Sequence, residues 1–159
     1  MVLHVFYSTF VPDFFYLFNM ETNVTAPAKE LRTDRGLTNM ILFSVVTCGL
    51  YAIVVESHIS RELNLVAGPY DGRKTMHFCL IFFIFSWLTL GIAPLVWYHR
   101  TSNRMGRELE RRQIDYVFDA WDLWLWCVLG SIIFVGPLIY IHKRMTAMNL
   151  INSDYNEKG

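Results

Sequence analysis

The chain has 159 residues, of which 53% are hydrophobic, 16% aromatic and only 18% charged, with a formal net charge of zero. This length suggests one domain. The balanced charge argues against a nucleic-acid partner, because neutralising phosphates normally requires a basic excess.

The chain begins with a leader, residues 1–30. Residues 1–19 are rich in Phe and Tyr but are interrupted by Pro12 and Asp13, and they lack the basic start of a signal peptide. They are either an interfacial segment or a stretch upstream of a true start at Met20. A membrane domain is predicted over residues 31–156, followed by a disordered tail at 157–159.

Three long stretches lack Asp, Glu, Lys and Arg: residues 37–55, 77–98 and 123–141. A helix of roughly 20 apolar residues crosses the hydrocarbon core of a bilayer, and each stretch is about that long. Trp97 and Trp121 stand near their ends, where Trp favours the membrane interface. The sequence therefore predicts an all-α membrane protein with about three transmembrane helices, each followed by an amphipathic juxtamembrane helix.

Glycine recurs in these stretches at Gly49, Gly91 and Gly136, and Pro94 and Pro137 accompany two of them. Gly weakens a helix and Pro removes a backbone donor, so these positions are predicted to kink the helices or to pack closely. Each stretch is then a kinked spanning helix, which we expect, or two half-helices that re-enter the membrane. The glycine spacing of roughly 40 to 45 residues also indicates an internal triplication.

Amphipathic segments follow the uncharged stretches. The most charged of them carries five arginines, Arg100, Arg104, Arg107, Arg111 and Arg112. One interpretation is contact with anionic lipid headgroups. The other is a solvated helix stabilised by its own ion pairs between residues four apart.

One asparagine stands in each amphipathic segment: Asn64, Asn103 and Asn149. Side-chain amides both donate and accept, so these residues are candidates for hydrogen bonds between the repeated units. The alternative is that they are ordinary polar residues at helix ends.

Several short motifs occur together between residues 89 and 116. They include Thr89-Leu90-Gly91-Ile92, Trp97-Tyr98-His99, Ser102-Asn103-Arg104, Glu108-Leu109-Glu110-Arg111-Arg112 and Ile114-Asp115-Tyr116. With these motifs the chain resembles, from about Leu31 to Asn156, the bacterial membrane proteins grouped as domain of unknown function 4234. The first unit departs from that pattern at Val54-Val55-Glu56-Ser57. The resemblance implies a bacterial source and a membrane location, and it implies no particular activity.

No familiar catalytic or metal-binding motif is present, so no cofactor is expected. We expect a non-enzymatic multi-pass protein of the cell membrane that acts through association with lipids, a protein partner or further copies of itself. The alternatives are an oligomeric transport or channel component and a toxin-immunity membrane protein. An enzyme acting on lipids would have to use His99, Asp115 or His142, which no motif brings together.

Overall fold

The computed structural model describes residues 30–159, and all regular structure in that range is helical. The predictions for residues 1–19 lie outside the described residues. The helices form three hairpins, each with a first arm, a turn and a long second helix. The elements in chain order are α1 (Leu37–Val46), α2 (Leu50–Asp71), α3 (Phe78–Leu80), a π-helical segment (Ile81–Phe85), α4 (Ser86–Leu88), α5 (Ile92–Arg111), α6 (Ala120–Asp122), a second π-helical segment (Leu123–Val128), a 3-10 segment (Leu129–Ile133) and α7 (Gly136–Lys158). Hairpin 1 comprises α1 and α2, hairpin 2 runs from α3 to α5, and hairpin 3 runs from α6 to α7.

The first two hairpins turn through the same backbone conformation. Cys48 and Gly49 have φ angles of 51° and 90°, and Leu90 and Gly91 have φ angles of 51° and 87°. Left-handed backbone is easy for Gly and uncommon for other residues, so a pair of such residues ends one helix and lets another begin.

A threonine supplies hydrogen bonds that each of these turns would otherwise lack. Thr47 Oγ1 donates to Phe43 O at 2.7 Å and accepts from Tyr51 N at 2.9 Å. Thr89 makes the same two bonds, at 2.7 Å to the carbonyl four residues earlier and at 2.9 Å from the N–H four residues later. Each threonine therefore provides an acceptor inside the turn for one N–H of the following helix, that of Tyr51 or Ala93, which would otherwise lack one.

Hairpin 3 turns differently. Its 3-10 segment ends at Ile133, the next residue, Phe134, has a φ of 60°, and α7 begins at Gly136. A Cβ on Gly136 would lie 2.2 Å from Trp126 O and 2.4 Å from the backbone of Gly130. Gly136 thus permits close packing of the two arms, whereas Gly49 and Gly91 are breaks between helices.

The two prolines lie where helices begin. Pro94 is in the first turn of α5, and Pro137 is in the first turn of α7. First-turn N–H groups have no acceptor within the helix, so a missing N–H is tolerated there. The prolines therefore start helices and do not kink them.

The predicted membrane-spanning helices are wrong. Between residues 30 and 159, no helix combines the length and the apolar sequence that a membrane crossing requires. The turns divide each uncharged stretch, and the second half of each stretch continues as one helix into the charged segment that follows. The amphipathic segments are accordingly not separate helices, and α7 extends to Lys158, into the expected disordered tail.

Helices α5 and α7 run in the same direction. Ser102 Oγ lies 2.9 Å from Tyr140 Oη, and further along both helices Arg112 Nη1 donates to Asp154 Oδ2 at 2.7 Å. Contact partners that advance together along two helices indicate parallel packing.

Helix α2 is parallel to both of them. Its Glu56 and Glu62 accept hydrogen bonds from Arg144 and Asn152 of α7, again advancing together. The corresponding contacts with α5 are Ile53 with Trp97 and Asn64 with Arg104. All three turns therefore lie at one end of the bundle, which we call the tip end. The base end is the rest of the bundle: α2 from Glu56 onward, α5 from Arg100 onward, α7 from Lys143 onward, and the segments between hairpins.

The base end is closed by two asparagines that each clasp an extended segment. Asn64 of α2 donates to Thr75 O at 2.8 Å and accepts from Thr75 N at 2.6 Å, just before hairpin 2. Asn149 of α7 makes the same pair of bonds to Arg35, at 2.8 and 3.2 Å, just before hairpin 1. Each asparagine thus fixes the entry to a different hairpin.

A glycine occupies the equivalent position in α5. Leu63, Met105 and Met148 are fully buried in one core, and the next residue in each helix faces an entry segment. In α5 that residue is Gly106, where a Cβ would lie 2.6 Å from Phe118 O. The hairpins therefore form a closed ring with approximate threefold symmetry, which fits the repeat indicated by the glycine spacing.

Candidate functional site: an apolar end and a basic groove

Large apolar side chains cover the tip end and face outward. Leu90 is 94% exposed, Phe134 88% and Trp87 84%. The same surface carries Val45, Val46, Leu50, Leu88, Ile92, Leu129, Ile132 and Ile133. Soluble monomers rarely expose apolar patches larger than a few hundred Å², so this end of the molecule is a candidate surface for lipid or for a partner.

The first charged residues stand at a similar level below the three turns. Glu56 follows Gly49, Arg100 follows Gly91, and Lys143 follows the third turn. At 1.5 Å per residue, these charges lie about 10 to 14 Å from the tips. One leaflet contributes about half of a hydrocarbon core of roughly 30 Å, so the apolar layer is about one leaflet thick.

The base end contains buried charges. Arg144 is fully buried, and its Nη2 lies 2.9 Å from Oε2 of Glu56, which is 2% exposed. The guanidinium also lies 5.3 Å from the Trp97 ring and 5.2 Å from the Tyr98 ring. Burial by itself lowers the pKa of Arg144, but the Glu56 charge and the nearby tyrosines outweigh it and raise the pKa. Arg144 therefore keeps its positive charge, and neither side chain of this buried pair has access to water that could replace its partner.

Arg104 joins the segments around hairpin 2. Its guanidinium donates to the Asp71 carboxylate at 2.7 and 2.9 Å, and to Asn64 Oδ1, Thr75 Oγ1 and Arg73 O at 2.6 to 2.7 Å. Partial burial raises the pKa of Asp71, but the hydrogen bonds from Arg104 and from the Arg73 backbone outweigh it and lower the pKa below the ordinary value. This cluster fixes the entry to hairpin 2.

Arg111 and Arg112 also have partners within the fold. Glu108 accepts from Arg111 Nη2 at 2.6 Å and from Arg112 Nε at 2.7 Å, and Arg112 reaches Asp154 as well. The Arg111 guanidinium lies 3.6 Å from the centre of the Tyr70 ring. These two arginines therefore hold the base end together.

Two of the five arginines predicted to contact headgroups have no such partner. Arg100 and Arg107 are exposed, and neither forms an ion pair with any residue between 30 and 159. Both lie on α5, on the side that borders an open groove in hairpin 2.

This groove lies between the two arms of hairpin 2 and has a volume of about 930 Å³. That volume is in the range of small-molecule sites. Its apolar part, toward the tip end, is lined by Ile81, Phe85, Ile92, Ala93 and Val96. Its polar part is lined by Arg73, Lys74, His99, Arg100, Asn103 and Arg107. The groove therefore has one apolar and one basic end.

The predicted asparagine contacts between units are found at Asn64 and Asn149, whereas Asn103 lies within 3.4 Å of His99 in its own helix. Sequence reasoning missed two further residues on α7. Asn152 donates to Arg32 O at 2.7 Å, and Asn156 clasps Leu31 with two bonds of 2.9 Å. Both residues could have been found from the sequence, because Asn149, Asn152 and Asn156 are spaced so that they lie on one face of a helix.

The ionisable residues considered for catalysis do not converge. His99 Nδ1 accepts a hydrogen bond from Trp124 Nε1 at 3.2 Å, and Asp115 and His142 are exposed elsewhere. Within the described residues, no three His, Cys, Asp or Glu side chains are grouped to hold a metal ion.

Comparison with known proteins gives one result. No curated protein and no solved structure matches the chain. Residues 35–107, which include hairpin 1 and most of hairpin 2, match the profile of the family described as "Domain of unknown function (DUF4234)". The family resemblance inferred from the sequence is thereby confirmed over this narrower range.

Proposed function

We propose that the protein is a non-enzymatic, membrane-associated module that buries its tip end in a single leaflet, with its base end in the aqueous phase. The exposed apolar surface of the three turns carries this proposal. Burying such side chains in hydrocarbon contributes about 25 cal/mol per Å² of apolar area. Lipid is the occupant that we favour, because three separate projections suit a fluid phase better than a flat protein surface.

Two further features support insertion to the depth of one leaflet. In the turns of hairpins 1 and 2, Thr47 and Thr89 each accept a hydrogen bond from a backbone N–H at the start of the next helix, which suits a hydrocarbon surrounding where water cannot accept it. Trp121 is 77% exposed and Trp124 is 42% exposed, close to the level at which charges begin. Trp favours that level because its ring is apolar and its N–H can hydrogen-bond.

The test is flotation of the purified chain with vesicles of neutral phosphatidylcholine. We expect the wild-type chain to float with the vesicles and Leu90→Asp to weaken partitioning by about tenfold or more, since a carboxylate costs about 2.5–3.5 kcal/mol at the bilayer centre and somewhat less nearer the surface. Leu90 has a positive φ, which Asp tolerates, so this variant is expected to fold.

Val117→Asp is the matched control, because Val117 is 80% exposed but lies in the segment before hairpin 3, at the base end. It is expected to float like wild type. Equal loss in both variants, or a wild-type chain that stays in the aqueous fraction, would contradict the proposal. If sedimentation showed that the wild-type chain is a dimer and that Leu90→Asp is a monomer, the tip end would instead be the contact surface between two copies of the chain.

The transport and toxin-immunity alternatives stay predictions, and no contact among the described residues favours either.

A further inference from the structure

We propose that the groove of hairpin 2 binds one anionic phospholipid, with the phosphate against its basic end and an acyl chain along its apolar end. This inference rests on the proposed membrane association and names a specific ligand class for one part of the surface.

The basic end of the groove is complementary to an anion. Arg73, Lys74, Arg100 and Arg107 are exposed, and none of them forms an ion pair within residues 30–159. No carboxylate among the described residues lines the groove. Unpaired cations grouped around one opening bind anions such as phosphate more strongly than scattered surface charges do.

These four residues differ from the other cations of the base end. Arg104, Arg112 and Arg144 are each satisfied by a carboxylate of the same chain. Lys143, at the similar level of hairpin 3, is paired with Asp122. Between residues 30 and 159, the cations without an ion pair are thus concentrated at hairpin 2, although the three hairpins share one architecture.

The apolar end of the groove indicates that the anion carries a hydrocarbon chain. Ile92 and Val96, on the α5 side, are 61% and 44% exposed, and Phe85 faces them from the first arm. A free phosphate or a sugar phosphate would leave these side chains uncovered. An amphiphile would cover them and follow α5 toward the tip end, where the surrounding lipid lies in the proposed arrangement.

The groove is formed by residues that are themselves fixed. Trp97 is 5% exposed, its Nε1 donates to Met76 O at 2.9 Å, and its ring packs against Phe78 at 4.7 Å. Arg104 holds Arg73 and Thr75 in place from below. A site whose walls are held by the fold binds without a large ordering cost.

The test is a titration of the full chain, held in a non-ionic amphipathic polymer, with dihexanoyl phosphatidylglycerol at monomeric concentrations, followed by calorimetry. Dihexanoyl phosphatidylcholine and glycerol 3-phosphate are the comparison ligands. We expect phosphatidylglycerol to bind about tenfold more tightly, or better, than either, because the first comparison lacks net charge and the second lacks chains.

Three variants locate the site. The double substitution Arg100→Gln with Arg107→Gln is expected to reduce phosphatidylglycerol affinity to the phosphatidylcholine level. Val96→Trp, which fills the apolar end, is expected to weaken both lipids. The control is Arg32→Gln with Lys158→Gln, which removes the same charge from side chains 43% and 65% exposed outside the groove, and it is expected to bind like wild type.

Equal affinity for the two lipids, or no effect of the Arg100 and Arg107 change, would overturn the inference. Binding of glycerol 3-phosphate as tight as phosphatidylglycerol, or unchanged lipid binding by Val96→Trp, would make this a phosphate site without a place for the chain. The short lipids do not require vesicles, so this result is separable from flotation. A chain that floats with vesicles but binds both short lipids equally would support the proposed function and contradict only the lipid site in the groove.

Discussion

The two ends of this bundle differ in which side chains they expose and which they bury. At the tip end the large apolar side chains point outward, and Thr47 and Thr89 supply hydrogen bonds within two of the three turns. At the base end the outer surface is polar, and charged side chains such as Arg144 and Glu56 are buried within the fold. The difference fits the proposed arrangement, in which the base end lies in water and gives the fold its rigidity while the tip end contacts lipid. Substitutions at the two ends should therefore affect different measurements.

The largest effect is expected at the buried ion pair of the base end. Arg144→Met leaves Glu56 charged and buried without its partner, which typically costs about 3–5 kcal/mol of unfolding free energy. Chemical denaturation in mild detergent measures this change. Leu90→Asp, at the tip end, is expected to change the same unfolding free energy by less than about 0.5 kcal/mol, because Leu90 is exposed.

The double change Arg144→Met with Glu56→Leu sharpens this test. Replacing both charges by apolar side chains of similar volume is often neutral or stabilising, so we expect it to recover most of the loss. A double variant as unstable as Arg144→Met alone would show that packing of Arg144 against Trp97 and Tyr98, rather than charge pairing, stabilises the base end.

A smaller effect is expected where α5 meets the entry to hairpin 3. Gly106→Ala places a Cβ 2.6 Å from Phe118 O, and overpacking of this kind costs about 1–3 kcal/mol. The matched control is Gly68→Ala in α2, where the nearest atoms are 3.9 Å away and the better helix propensity of Ala contributes up to about 1 kcal/mol. Thermal unfolding of both variants decides the point. A Gly106→Ala chain as stable as wild type would mean that α5 does not pack closely against the entry to hairpin 3.

The smallest expected effect is a pH dependence carried by Asp71. Because its pKa is lowered in the folded chain, the carboxylate contributes stability above its ordinary pKa of 3.8, and this contribution is lost as the pH falls through the folded value. Asp71→Asn should therefore be less stable than wild type at pH 6, and the gap should close in acid. Unfolding free energies at a series of pH values measure it. A gap that stays constant down to pH 2 would assign the loss to altered packing instead of charge.

Much of the fold could be predicted from hydropathy and from the repeat. The three uncharged stretches, the special role of Gly49 and Gly91, and a unit that recurs three times were all visible in the sequence. The spanning geometry was wrong because hydropathy does not register where a helix stops. The ends of these helices are set by residues with positive φ, among them Cys48, Leu90 and Phe134. These residue types rarely adopt positive φ, so the sequence does not predict it there.

The candidate site, too, could be predicted only in part from the sequence. The arginine cluster was recognised, but ion pairing between distant segments decided which arginines remain available. The partners Asp71 and Asp154 lie 33 and 42 residues from the arginines that they bind. The groove required both arms of hairpin 2 and the exposed faces of Ile92 and Val96, which no local pattern specified.

The ring of hairpins also imposes an order in time. Asn149 lies 114 residues after Arg35, whose backbone it clasps, and Asn152 lies 120 residues after Arg32. At 5–20 residues per second, a ribosome adds the later residue of each pair roughly 6 to 24 s after the earlier one. Hairpin 1 is made first, yet it receives its contacts with Asn149 and Asn152 only when α7 has emerged, so a nascent chain carries an open ring until that point.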